Sequence, residues 1–382
     1  MESTKRRVLV LVDWFEPGYK AGGPIRSVVN FIHHLKDELD IYVLTTDRDL
    51  NEKVPYKGIE TDKWIEYKPG VYVFYCSPRL LSFSAVIKII NWVNADFIYL
   101  NSMFSKFFTI YPLLAKRLGK IRSEIVLAPR GMLKETALQF KNRKKKLFLK
   151  IFKSLGLNRN VRFHATDTNE FNDILRTFGR SDMYLVVDNL PGIHKPFVPL
   201  ADKLRGNVKL LFVGRFHPIK NPDYLLSVLK ETKSNVELTI IATIEDEDYW
   251  HKCQVMIAHL PSNVKVIING EMPHAEIEHH LLETHLFVLP TRGENFGHAI
   301  FEALMAGRPV LISDQTPWKD LAAKKAGWEL PLADKEQFLK AIEKVAAMDH
   351  DELNEWSKGA WNYSNDQLDL YDVRSQYLKL FS

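Results

Sequence analysis

The chain has 382 residues, 46% of them hydrophobic and 26% charged, with a formal net charge of +5. That length predicts two domains with separate cores, and the composition excludes a fibrous or disordered protein. No apolar run approaches the ~20 residues of a membrane span. Cys76 and Cys253 are too far apart to form a disulfide framework or a metal site. The polar start leads directly into a strand, so no signal peptide is expected and the expected compartment is a reducing cytoplasm.

Residues 7–13 (RVLVLVD) read as a buried strand, and 41–46 as the next. Between them lie a glycine-bearing loop, 17–24, and a helix opening at Pro24, since proline suits a first helical position. Ile25, Val28, Val29, Ile32, Leu35 and Leu39 keep the helical period. This is a strand–loop–helix–strand unit, but it is not G-x-G-x-x-G and no acidic residue ends its second strand. A dinucleotide site is therefore poorly supported, although the loop still lets a phosphate or sugar approach the backbone.

Alternation continues with strand 71–76, helix 80–93, strand 96–101, helix 106–118 and strand 124–128. Strand 184–187 closes this half, and a polar, proline-bearing linker spans 188–207. The pattern then restarts: strand 208–213, helix 222–233, strand 236–242, helix 246–260, strand 264–268. Strands alternating with helices predict an α/β chain with parallel, doubly wound sheets. The predicted domains are 1–190 and 191–365, with a terminal helix, 366–382, packing back on the first. No repeat of fixed period and no low-complexity tract appears.

The stretch 286–313 carries most of the chemistry. Strand 286–289 runs into a polar loop with Glu294, and a helix starts at Gly297. It ends at Gly307 with Pro309 beyond, and strand 310–313 follows. Helices fill most of the remainder from Pro317. Glu294 and Glu302 have seven residues between them. Backbone N–H groups at a helix start attract a phosphate, while carboxylates accept hydrogen bonds from vicinal hydroxyls, as on a sugar or ribose. The plain alternative is a helix with acids near its positive end. Upstream, Gly214 ends a strand, and Arg215 and Lys220 lie in the loop before a helix, where two cations can clamp a diphosphate. The plain alternative there is an exposed loop with solvated charges.

Gly214-Arg215 with Lys220-Asn221, then Glu294-x7-Glu302, with Gly22-Gly23 near the start, resembles the retaining glycosyltransferases of family 4. The similarity runs in order along nearly the whole chain and is most specific in the second domain. It implies the GT-B fold, two Rossmann-like domains facing a central cleft. It also implies that Arg215 and Lys220 bind the diphosphate of a nucleotide-diphosphate sugar, Glu294 the donor sugar and Glu302 the ribose. Backbone groups of Asn295, Phe296, Gly297 and His298 would touch sugar and phosphate. Residues 270–272, with Met272, correspond to the base site, and Gly22 and Gly23 approach from the other domain. Many relatives place a histidine after a first-domain strand. Here Pro129-Arg130-Gly131 stands there, and arginine cannot act as a base, but it can bind an acceptor hydroxyl, a phosphate or an acidic sugar.

The leaving diphosphate gains negative charge as the anomeric bond breaks. Arg215, Lys220 and the helix start at Gly297 would stabilise it in place of a divalent metal. Retention by front-face attack is adopted by analogy. Asp47-Arg48-Asp49 and Asp246-Glu247-Asp248 match a metal-binding D-x-D pattern, but the second more simply supplies acids to a helix's first turn. His274, His279, His280 and His285 lack metal-ligand spacing. No cofactor is expected.

Finally, KNRKKKLFLKIFK, from Lys141 to Lys153, is a basic helix with an apolar side. Lys144, Lys145 and Lys146 with Leu147, Phe148, Ile151 and Phe152 suit an anionic membrane surface. A core-packed helix with a solvated basic face is the alternative, and nucleic acid is disfavoured because no recognition motif accompanies the cluster. The expected function is transfer of a sugar to a glycan or lipid-linked acceptor in surface polysaccharide synthesis, with the protein cytoplasmic and peripheral to the inner membrane face. The rival readings are a nucleotide-sugar epimerase of the same architecture and a non-catalytic relative.

Overall fold

A computed structural model describes residues 5–134, 142–179, 184–186, 192, 194–200, 203–369 and 373–382. The expected 190/191 boundary, Lys141 and Val187 lie outside these residues. The chain divides into two compact units, Met1–Leu190 with Asp372–Ser382, and Pro191–Tyr371.

The first unit holds β1 (Arg6–Leu11), α1 (Gly23–Leu35), β2 (Leu39–Thr46), β3 (Trp64–Lys68), β4 (Val71–Cys76), α2 (Phe83–Val93) and β5 (Phe97–Leu100). It continues through α3 (Tyr111–Arg117), β6 (Glu124–Leu127), α4 (Asn142–Ser154), β7 (Arg162–Ala165), α5 (Thr168–Phe178) and β8 (Tyr184–Val186). The strand order is β3-β4-β2-β1-β5-β6-β7-β8, parallel except where β3 turns back on β4. Strand β1 shows why the sheet is covered on both faces. Val8 and Val10 pack with Val28, Phe31 and Ile32 of α1, whereas Leu9 and Leu11 pack with Val86 and Ile90 of α2. Successive side chains of a strand point to opposite faces, and each buried aliphatic stabilises by roughly 1.5–3 kcal/mol.

The second unit holds β9 (Asn207–Phe216), α6 (Pro222–Leu229), β10 (Asn235–Ile244), α7 (Glu247–Ala258), β11 (Val264–Asn269) and α8 (His274–Glu283). Then come β12 (Leu286–Leu289), α9 (His298–Met305), β13 (Val310–Ser313), β14 (Gly327–Leu330), α10 (Lys335–Ala347) and α11 (His350–Asp369). Its parallel sheet runs β11-β10-β9-β12-β13-β14 around one continuous core. The last helix, α12 (Val373–Leu380), belongs to the first unit, where Val373, Tyr377, Leu380 and Phe381 are buried against the α1 face.

Several elements differ from the sequence reading. Leu39 leaves the first helix and opens β2, opposite Arg6. The helix expected from Leu80 starts at Phe83, because the Ser82 hydroxyl accepts from Ala85 N at 3.3 Å and caps it there; Pro78–Leu80 forms a separate 3-10 turn. The helix expected over 106–118 opens as a π turn, Lys106–Ile110, before α3. Pro112 has no N–H to give an ordinary first turn. Strands β3, β7 and β14 and helix α5 were not anticipated. β3 and β14 are edge strands whose residues are mostly half-buried, so neither carries a continuous apolar run. Helices do fill most of the chain from Pro317, with β14 as an unexpected strand among them.

Candidate functional site

Each sheet reverses its strand order once, and ligands of such sheets bind beyond the carboxyl ends of the strands at the reversal. In the second unit those strands are β9 and β12, adjacent and parallel. Arg215 lies inside β9 opposite Thr243 of β10, which corrects its placement, and that of Gly214, at a strand end and in a loop. Pairing with β10 carries the strand on to Phe216. The Arg215 side chain is 42% exposed, and its guanidinium lies 2.5 Å from Glu245.

The loop after β9 is built around His217. Its Nδ1 accepts from Ile219 N at 3.1 Å, and its carbonyl accepts from Lys220 N at 2.9 Å and Asn221 N at 3.2 Å. Burial pulls the imidazole below its usual pKa, so the neutral acceptor form is favoured. Asn221 takes a left-handed conformation, φ 60°, ahead of α6. Its amide donates to Pro290 O at 3.0 Å, and Arg292 N donates to Ile219 O at 2.7 Å. These bonds stitch the loop after β9 to the loop after β12. The result is an ion pair between Lys220 and Glu294, with side chains 18% and 11% exposed.

Beyond Glu294, whose N–H donates to Gln315 O at 3.1 Å, residues Asn295, Phe296 and Gly297 turn into α9. Trp318 Nε1 holds Phe296 O at 2.7 Å, and the Phe296 ring packs against Trp318 and His298. Gly297 has φ 80°, and a Cβ there would come 2.9 Å from Ile300 Cδ1. Glu302, farther along α9, lies 3.3 Å from His274 Nε2. The same nitrogen is 3.6 Å from Glu278, which also receives Lys195 Nζ at 2.6 Å. Met272 is half-buried against the unit's core. Asp246 caps α7 by accepting from Tyr249 N at 3.0 Å, with Glu247 and Asp248 in the first turn.

In the first unit the order reverses between β1 and β5. Gly22 has φ 61° and caps α1, and Gly23 is the first residue of that helix. No atom lies within 4 Å of a Cβ placed on Gly22. Arg130 is drawn inward: it donates to Asn101 Oδ1 at 2.8 Å and to Tyr99 OH at 2.8 Å, and Tyr377 of α12 is hydrogen-bonded to it as well. Tyr99 in turn meets His164 Nδ1 at 2.8 Å. The guanidinium therefore serves the interior of its own unit.

The structure thus brings Lys220 and Glu294 together, engages Arg215 with Glu245, and sets Glu302 beside His274. The sequence assigns no role to His217, Arg292 or Trp318, and Asn221 enters there only within the Lys220-Asn221 motif. The Asn-Pro pair opening a helix pointed to Asn221; the others carry no local signal.

Two parallel-sheet Rossmann-like units in one chain make the GT-B fold. Residues 202–362, within the second unit, match the family model described as glycosyl transferases group 1. Among solved structures, sucrose-phosphate synthase from Thermosynechococcus elongatus is similar with TM-score 0.73 at 15% identity, covering 99% of this chain and 98% of the other. The Anabaena protein Alr3699/HepE, in complex with UDP and glucose, is similar with TM-score 0.67 at 16% identity, covering 98% of each chain. A Klebsiella pneumoniae protein described as an uncharacterized 41.2 kDa protein in the cps region is 22% identical over 308 residues, 78% of this chain and 82% of that protein. No helix among the described residues is long and apolar enough to cross a membrane.

Proposed function

We infer that the protein is a retaining glycosyltransferase of family 4. It moves a sugar from a nucleotide-diphosphate donor to a glycan or lipid-linked acceptor during surface polysaccharide synthesis. The observation that carries this reading is the Lys220–Glu294 pair at the β9–β12 reversal, next to the start of α9. A cation and a helix N-terminus stabilise charge developing on the leaving diphosphate, while the carboxylate takes hydroxyl hydrogen bonds from the sugar. In this reading Lys220 exchanges part of its bond with Glu294 for the diphosphate. Arg215 turns from Glu245 to the same group, and Glu302 takes the ribose. Backbone groups of 295–298 line the sugar and phosphate, and Met272 lies near the base.

Gly22 and Gly23 enter as donor contacts on the family resemblance alone. Arg130 is assigned to holding its own unit together rather than to the transfer step. The fixed charges do the work of a divalent ion, so no metal is required. The cps-region relative supports the polysaccharide assignment, and the UDP and glucose bound to the Anabaena protein support a nucleotide-sugar donor.

The test is a thermal-shift screen of nucleoside diphosphates and their sugars with EDTA present, followed by donor-hydrolysis assays. Stabilisation by one donor, with hydrolysis lost in Glu294→Ala and Lys220→Ala, is the expected result. Turnover that appears only with added Mg²⁺ or Mn²⁺ would sink the fixed-charge mechanism. Conversion of the donor to an isomer without acceptor would replace transfer by epimerisation.

A further inference from the structure

Helix α4 presents two chemically different sides. Leu149 and Phe152 are buried and fix it to the first unit's core, with Phe148 packing edge-on against Phe104 at 5.2 Å between ring centres. On the outer side Leu147, Ile151 and Leu155 are 59%, 49% and 49% exposed. Leu155 N donates to Ile151 O at 2.9 Å, so the turn continues past the helix end. A spacing of four sets the three side chains in one stripe. Single exposed aliphatics are ordinary, but an aligned stripe marks an interaction surface.

Lys144, Lys146 and Lys150 are exposed on the same helix. No Asp or Glu occurs anywhere in 136–166, a segment with nine Lys and Arg residues. The surface continues beyond the helix. A Cβ on Gly156 would lie 3.3 Å from Arg159 Cδ and 3.7 Å from Arg117 Nε, so the two arginines meet there. Leu118, next to Arg117 at the end of α3, is 62% exposed.

Aliphatic side chains between unneutralised cations select among partners. A polynucleotide takes the cations but leaves the aliphatics wet. A protein interface core takes the aliphatics but is depleted in lysine. An anionic bilayer accepts both, the stripe below the headgroups and the ammonium groups at the level of the phosphates. We propose that α4, with the adjoining end of α3, seats the protein on an anionic lipid surface through Leu147, Ile151 and Leu155, with Lys144, Lys146 and Lys150 against lipid phosphates.

The experiment is co-sedimentation of the full chain with phosphatidylcholine vesicles made with and without phosphatidylglycerol, across a salt series. Binding only to the phosphatidylglycerol vesicles is expected, weakening about fivefold for each lysine changed to glutamine. Leu147→Ser/Ile151→Ser/Leu155→Ser removes the part of the binding that survives high salt. The single variant Ile151→Glu repeats that arm with minimal disturbance of the fold. Thermal unfolding and nucleotide-sugar shifts stay unchanged in these variants, which separates the result from the donor chemistry. Equal binding to pure phosphatidylcholine, undiminished binding in the variants, or capture of duplex DNA without capture of vesicles overturns the proposal.

Discussion

Lys220 and Glu294 hold each other in a half-buried pair, so mutation can separate that structural role from the donor-binding role proposed for each. Removing one partner leaves the other buried and uncompensated, at about 1–3 kcal/mol for a site this sheltered. Lys220→Met and Glu294→Gln should each lower the unfolding temperature and cut transfer by roughly 10²–10³-fold. The double variant should recover most of the stability and none of the activity, as read by calorimetry and turnover in one cycle. Additive stability losses would show that the pair is not coupled. His217 supports the same loop as an acceptor. Burial is the main reason its pKa lies below 6.5; Arg215 and Lys220 push it the same way, and Glu245 and Asp246 oppose. Below pH 6.5 the unfolded chain therefore binds more protons at this site than the folded one, so its contribution is lost as pH falls through the lowered value. His217→Asn keeps an acceptor that does not titrate, and the pH slope of its unfolding temperature should be shallower there than in the parent. Types and spacing exposed Lys220, Glu294 and Glu302 in the sequence, because charged residues near a predicted strand end are conspicuous. The partner of Glu302 was not legible, since His274 is a tertiary neighbour that spacing does not encode.

Among the elements, β14 depends on one residue. Gly327 has φ 145°, and a Cβ there would lie 2.0 Å from the Val310 carbonyl oxygen and 2.6 Å from its nitrogen. Neither backbone atom can yield without breaking the pairing of β13 with β14. Gly327→Ala should cost about 3 kcal/mol or more, visible as a large drop in unfolding temperature or as insoluble protein. Loss within 0.5 kcal/mol, the range of a neutral surface change, would mean that the edge strand contributes little. Periodicity found the central strands well, since β1, β12 and β13 are apolar runs covered on both faces. It failed for β14 and β3, where half-buried edge residues mix polar and aromatic side chains. It also stopped β9 at Val213, because the continuation through Arg215 is imposed by ten register pairs with β10 rather than by burial.

At the scale of the whole molecule, the chain builds most of one unit, then all of the second, and returns α12 to the first. Tyr377 and Phe381 close an aromatic cluster with Phe31 and Tyr99, and Tyr377 is hydrogen-bonded to Arg130 and Tyr99. Tyr377→Phe keeps the ring and loses the hydroxyl, at about 1–3 kcal/mol for partners left unsatisfied. Phe381→Ala should cost about 3–5 kcal/mol. Chemical denaturation followed by hydrogen exchange should find both losses in the first unit, with the exchange of β9 and β12 amides untouched. Uniform loss in both units would indicate a single cooperative fold. Arg130 is a candidate in the sequence because it stands where the resembled family places a histidine; the residues that hydrogen-bond it lie 29 positions before it and in the last helix.

The returning helix sets an order of events at the ribosome. Phe31 and Tyr99 are translated early, yet the rings that cover them emerge only after every strand of β9–β14 has been made. A nascent chain therefore carries a greasy, uncovered patch through most of its synthesis, and chaperones that recognise aromatic surface should hold it until release. A polypeptide that stops after the second unit but before α12 leaves the aromatic cluster of the first unit open.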